Sequence, residues 1–177
     1  ATVLGPGKIR HAGQGETVVA GGKASGDIIS VFEKAGFNIR AVNDIHPFIW
    51  GKLIINAGIN ALAALTRLKN GRLPELKGTR RIMEEAVREA VTIVKAKNIG
   101  IPYPDPLGRV VDVCSATAGN VASMLQDVLN KKKTEIDAIN GAIVREGAAL
   151  GIPTPVNSTL TSLVQALQET YREQDLG

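Results

Sequence analysis

Apolar residues recur along most of this chain at spacings of three and four, the period of a helix, and only near its start in short consecutive runs. Over residues 1–22 the runs are Thr2-Val3-Leu4 with Ile9, and Thr17-Val18-Val19, on either side of Ala12-Gly13-Gln14-Gly15. Two β-branched runs around a glycine-rich turn predict a hairpin. Ile28, Ile29, Val31 and Phe32 predict a helix over 25–35 that ends at Gly36, and Asn38-Ile39-Arg40-Ala41-Val42 predicts a further strand. After Asp44 no strand pattern is convincing. Helices are predicted over 47–68, 80–97, 107–129, 135–149 and 158–173, the first with Pro47 in its opening turn, where a missing N–H costs nothing. Two of them run into Gly100-Ile101-Pro102-Tyr103-Pro104 and Gly151-Ile152-Pro153-Thr154-Pro155. The glycine suits a left-handed cap and the prolines forbid continuation. The flanks do not match, so shared stop chemistry explains the pair better than a repeat. The fold class expected is mainly α: an all-α domain over 44–177 behind a strand-helix-strand segment over 1–43.

Composition narrows this further. The 177 residues are 44% hydrophobic but only 3% aromatic, so aliphatic side chains must fill the core. Lys and Arg number 21 against 17 Asp and Glu, a net charge of +4 spread along the chain, with no basic run longer than Lys131-Lys132-Lys133. With so few rings there is no stacking platform for single strands, and no nucleic-acid partner is expected. The longest strongly apolar uncharged stretch, 53–66, is shorter than the roughly 18 residues that cross a bilayer, so no membrane partner is expected either. A lone cysteine, Cys114 among Val110, Val111 and Val113, allows no internal disulfide or cysteine-based metal site and points to a core position in a reducing, cytoplasmic compartment. His11 and His46 share no ligand spacing, so no metal is expected.

Candidate chemistry sits on the first long helix. Leu53, Ile54, Ile55, Ala57, Ile59 and 61–65 make it apolar on nearly every side, as in a buried helix. Lys52, Asn56 and Asn60 nevertheless follow one another at i, i+4, which at about 100° per residue confines them to an arc of roughly 80°. An ammonium and two carboxamides on one narrow stripe of such a helix must face something polar: water, a hydrogen-bonding helix, or a ligand. Partial desolvation of Lys52 would suit it to give a proton to a developing alkoxide. Asn70-Gly71 reads as a turn. Ala116, Gly119, Asn120 and Ser123 leave one side of the third predicted helix small, so that either a neighbouring helix or a ligand approaches it closely. Thr134-Glu135-Ile136-Asp137 reads as a capping box, Thr134 as N-cap and Asp137 three residues on, with Glu135 in a first turn that favours a carboxylate whatever its role.

Trp50-Gly51-Lys52-Leu53 with Asn56, Asn60 and Asn70-Gly71, then Ser123-Met124-Leu125-Gln126-Asp127, then Thr134-Glu135-Ile136-Asp137 with Ile139-Asn140-Gly141, together resemble the ketopantoate reductase (2-dehydropantoate 2-reductase) family. Gly5-Pro6-Gly7 and the run from His11 to Thr17 look like the end of that family's first domain. The resemblance implies NADPH-dependent reduction of the small 2-oxo acid 2-dehydropantoate to pantoate, a step toward coenzyme A. It implies that Lys52 is the general acid, that Asn56, Asn60, Asn70 and Ser123 bind substrate, and that Glu135 is a catalytic carboxylate touching substrate or cofactor ribose. It also implies that 1–43 is the remnant of a Rossmann-type dinucleotide-binding domain. The family's glycine-rich phosphate loop is missing, since Gly21-Gly22-Lys23-Ala24-Ser25-Gly26 has the wrong glycine order. The Rossmann half would then be supplied in cis or in trans, and this chain alone is expected to be inactive. A homodimer remains open, and the competing class is a helical binding or dimerisation module in which the stripe serves only helix contacts.

Overall fold

Pro6-Gly7 provides an earlier turn than the glycine-rich segment does, with Gly7 at φ +69°, and the first strands pair across it. In a computed structural model, which describes residues 2–10, 15–22 and 25–175, β1 (Thr2–Gly5) is antiparallel to β2 (Lys8–Arg10). β3 (Thr17–Ala20) pairs in parallel with β4 (Ile39–Val42), Thr17 opposite Ile39 and Ala20 opposite Val42, joined through α1 (Ser25–Lys34). The strand-helix-strand reading holds, and the expected hairpin between the two β-branched runs does not. A helix connects β3 to β4, as parallel strands require. His11 and residues 12–14 lie outside the described residues. This unit, residues 1–48, leaves apolar side chains open: α1 has no buried residue, and Ile28, Val31, Phe32 and Phe37 are exposed.

The second unit, 49–177, is helical. Its centre is α2 (His46–Thr66), whose Ile54, Ala57, Ala61 and Ala63 are fully buried. At 21 residues α2 is long and apolar enough to cross a bilayer, which the shorter stretch at 53–66 did not suggest; its burial against the other helices marks it as a core helix. α3 (Lys77–Ala96) buries Met83, Ala86, Val87, Ala90, Ile93 and Val94, one helical stripe, and closes over α2 with α4 (Pro106–Ala116), α5 (Ser123–Leu129), α6 (Asn140–Leu150) and α7 (Pro155–Glu169). Cys114 is fully buried, and burial pushes its thiol up to about 11.

Four expectations change in detail. The helix over 107–129 is two helices, because the carbonyls of Ala118 and Asn120 turn aside to accept from Gly71 N (3.3 Å) and Asn70 N (3.1 Å). The helix over 135–149 begins only at Asn140. A 3-10 turn, Ile136–Ala138, precedes it, Thr134 Oγ1 accepts from Ile136 N at 3.3 Å, and Ile139 at ψ −93° separates turn from helix. Asp137 therefore belongs to the 3-10 turn and not to α6; it accepts from Gln165 Nε2 at 2.7 Å. α7 starts earlier than expected, at Pro155, and a 3-10 turn, Thr170–Asp175, follows it. Finally, Gly151 is the left-handed cap of α6, at φ +66°, but α3 ends on Asn98 at φ +54°, with Ile99 N bonded to Val94 O at 3.1 Å. Asparagine tolerates this conformation, so Gly100 is not the cap.

Candidate functional site

The polar stripe on α2 runs from open to closed. Lys52 is exposed, Asn56 half-buried and Asn60 only 6% exposed, while Ile49, one turn before Lys52, is 55% exposed. The face carrying Ile49, Lys52 and Asn56 is thus the uncovered side of an otherwise buried helix, and the desolvation expected of Lys52 is not supplied there. Among the described residues none of the three side chains has a hydrogen-bond partner. An inter-helix ladder would have consumed these amides; here they remain available.

Gly51, just before Lys52, is buried beneath the segment 100–104. A Cβ on it would stand 3.1 Å from Pro102 Cδ and 3.2 Å from the Tyr103 hydroxyl, which donates to Gly51 O at 2.6 Å. At the start of the same helix His46 N donates to Asp44 Oδ1 at 2.9 Å, which holds the Asp44 carboxyl below its usual range; the imidazole Nδ1 adds a second contact at 2.8 Å. Asp44 is the cap here, and His46 is the residue it holds.

Asn70 opens a 3-10 turn, Asn70–Arg72. It is buried, its Nδ2 donates to Thr117 Oγ1 at 2.9 Å, and Thr117 in turn donates to Val113 O at 2.7 Å. Only Asn70 Oδ1 is left, buried and without a partner. The side chain thus holds the loop between α4 and α5. Gly71 explains why that loop comes so close: a Cβ there would stand 2.6 Å from Ala118 Cβ and 2.9 Å from its Cα, which only glycine admits. Ala116, Gly119, Asn120 and Ser123 are exposed, so what approaches the small residues is the Asn70-Gly71 turn, not a helix laid along them. Ser123 opens α5.

Glu135 is exposed in the turn ahead of α6, without a described partner and outside any α-helical first turn, so a helix dipole does not account for it. Five residues on, Asn140 is fully buried and donates from Nδ2 to Ala57 O (3.2 Å), beside Asn56, and to Asn157 Oδ1 (2.9 Å). Asn157, also fully buried, donates to Ala86 O (3.1 Å) and Glu89 Oε2 (2.6 Å), while Glu89 accepts the amides of Val156 and Asn157 at 2.8 and 2.9 Å. This relay, which joins α6, α2, α7 and α3, escaped the sequence reading except for Asn140 as part of a motif. Direct hydrogen bonds or ion pairs between any two of Lys52, Asn56, Asn60, Asn70, Ser123 and Glu135 are absent among the described residues. A cavity of about 530 Å³ is lined by Lys133, Gln165, Gln168, Glu169 and Tyr171, none of which belongs to that set. No cluster of metal-ligating side chains occurs among the described residues.

Between β3 and α1, Gly22 N donates to Ser25 Oγ (3.1 Å) and Ser25 Oγ donates back to Gly22 O (2.6 Å).

With this geometry in hand, residues 44–168 match the family profile described as the C-terminal domain of ketopantoate reductase PanE/ApbA. A 2-dehydropantoate 2-reductase of Pyrobaculum aerophilum is 40% identical over 139 residues, covering 78% of this chain and 50% of the relative. The crystal structure of a PanE/ApbA family ketopantoate reductase from Ralstonia eutropha JMP134 superposes with a TM-score of 0.89 at 33% identity, over 94% of this chain and 56% of that one. A D-mandelate dehydrogenase solved with NADH and anilino(oxo)acetate superposes at 0.84, with 26% identity over 96% of this chain and 57% of the other. The chain spans about half the length of the curated relatives it matches.

Proposed function

Since the chain belongs to the ketopantoate reductase family through its C-terminal domain, we propose that it is the catalytic and substrate-binding half of an NADPH-dependent reductase that turns 2-dehydropantoate into pantoate. In this reading 44–177 is the substrate domain and 1–43 the last part of a dinucleotide-binding domain. The rest of that domain comes from elsewhere in cis or in trans, and the enzyme works in the reducing cytoplasm. The observation that carries the reading is the unpaired row on α2, running from exposed Lys52 through half-buried Asn56 to buried Asn60 on a core helix.

Reducing a ketone to an alcohol adds a hydride to carbon and a proton to oxygen, and this chain's residues serve the second event. Lys52 donates the proton from Nζ as charge develops on the carbonyl oxygen; a cation there also steadies the alkoxide before transfer. Asn56 and Asn60, each with donors and an acceptor, orient the substrate's carboxylate and hydroxyl. Ser123 Oγ adds a further contact from α5, and Asn70 contributes its unpartnered Oδ1. Glu135 receives a substrate hydroxyl or the cofactor's ribose. The D-mandelate dehydrogenase solved with anilino(oxo)acetate supports the 2-oxo acid class more firmly than it supports one member of that class. No step is assigned to the dinucleotide.

The test follows NADPH absorbance with 2-dehydropantoate, first with this chain alone and then with a dinucleotide-binding half added. No turnover alone and turnover on mixing is the expected result. Full turnover by the chain alone would refute the half-enzyme reading, and none under either condition, with both parts folded, would refute the reductase.

A further inference from the structure

The segment 100–104 is Gly-Ile-Pro-Tyr-Pro, in which two prolines fix φ and prevent any helix from forming, so it runs as a strap from the end of α3 to Asp105, whose side chain caps α4. The strap crosses α2 at Gly51, and its tyrosine hydroxyl grips Gly51 O at 2.6 Å. That oxygen belongs to the peptide joining Gly51 to Lys52. Inside a helix this carbonyl already accepts the amide four residues on, so the hydroxyl adds a second bond to one that exists.

The sequence gives up helical stability at this point to admit the strap. Glycine in a helix interior is worse than alanine by about 1 kcal/mol, and Gly51 stands just before the stripe. Alanine would have to fit a methyl group 3.1 Å from the Pro102 ring. On the uncovered face one turn earlier Ile49 is 55% exposed, so fraying from the start of α2 would reach Lys52 first. Lys52 itself is exposed and forms no described bond, which leaves its backbone as the means by which the protein aims it. Burial pushes the Tyr103 phenol up to about 12, so the hydroxyl keeps its proton, and donates it, throughout the neutral range.

We propose that Tyr103 is a positioning residue for Lys52, its hydroxyl fixing the Gly51–Lys52 peptide so that the ammonium is delivered to the substrate oxygen. This rests on the reading of Lys52 as the acid. The experiment is a double-mutant cycle in the reductase assembled from this chain and a dinucleotide-binding half, using Tyr103→Phe, Lys52→Ala and both together. Misplacing a reacting group by about 1 Å costs up to about 10²-fold, and removing one of two bonds to the carbonyl should cost kcat about tenfold. KM for 2-dehydropantoate should hold within about twofold, since Asn56 and Asn60 lie one and two turns further along α2. In the Lys52→Ala background the Tyr103 change should cost nothing more.

A merely structural tyrosine would scale kcat alike in both backgrounds, and that outcome, or an unchanged kcat in Tyr103→Phe, overturns the proposal. If Lys52→Ala alone keeps full kcat, the acid assignment fails first and takes this inference with it. Hydrogen exchange of the isolated chain reads the tether without catalysis: Tyr103→Phe should speed exchange of the amides over 50–55, and unchanged exchange there also overturns the proposal.

Discussion

Replacing Asn157 with alanine tests whether the buried relay holds the helical unit together. The side chain is fully buried, with Nδ2 donating to Ala86 O and to the Glu89 carboxylate and Oδ1 accepting from Asn140. A bond to a charged group contributes about 1.5–3 kcal/mol and each of the two neutral ones about 1, which places the loss between about 3.5 and 5 kcal/mol. The upper end applies, because one donor is stranded: the Asn140 Nδ2 hydrogen that met Asn157 Oδ1 is left buried with no acceptor. Glu89 keeps the amides of Val156 and Asn157, and Asn140 Nδ2 keeps Ala57 O, although Asn140 Oδ1 is already buried without a partner. For a domain of this size about 5 kcal/mol lowers Tm by roughly 10–30 °C, read from helix ellipticity at 222 nm. Asn157→Asp keeps the shape but sets a second carboxylate against Glu89, so it should destabilise at least as much at neutral pH and recover in part as acid protonates the pair. A loss below about 1 kcal/mol for Asn157→Ala would show that the relay contributes little and that apolar packing alone sets the helix arrangement.

Two further outcomes follow from the same structure. Folding favours the neutral forms of Cys114 and Tyr103, whose pKa values rise from 9.0 to about 11 and from 10.0 to about 12. The unfolded chain loses these protons first, so stability is intact below about pH 9 and falls as pH climbs to about 12. Urea midpoints at pH 8 and pH 11 should show the fall, Cys114→Ala should remove the part between 9 and 11, and an equal fall in that variant would refute the assignment. Gly71→Ala must push back the loop of Ala118, costing about 1–3 kcal/mol, and Gly71→Ala with Ala118→Gly should recover part of it; a wild-type denaturation midpoint in the single variant would contradict the close approach.

What the sequence made legible, and what it hid, follows from the range of the interactions involved. Lys52, Asn56 and Asn60 stood out because a single helix sets their relative placement and its period is printed in the residues. The break at 117–122 was invisible: Val121 keeps the apolar rhythm going, and the groups that draw the loop aside are the amides of Asn70 and Gly71, far away in sequence. Glu89 was hidden for a similar reason. It lies among Glu84, Glu85 and Arg88 on a charged helix, and nothing local separates it from a solvated carboxylate; its partners are 67 and 68 positions away. Glu135 was read as a first-turn residue because Thr-Glu-Ile-Asp satisfies a capping pattern, whereas the chain makes a 3-10 turn there to bring Asn140 against Ala57. The hairpin failed on the same distinction, since a parallel partner 22 positions on leaves no mark in the strand itself.

The most direct measurement is kcat for 2-dehydropantoate reduction in the assembled reductase, wild type against Lys52→Ala, with far-UV circular dichroism confirming that both chains are folded. If Lys52 gives the proton, kcat falls by about 10²-fold or more, the usual scale for a general acid. An unchanged kcat in a folded Lys52→Ala enzyme would contradict the assignment and leave the polar row on α2 without a catalytic role.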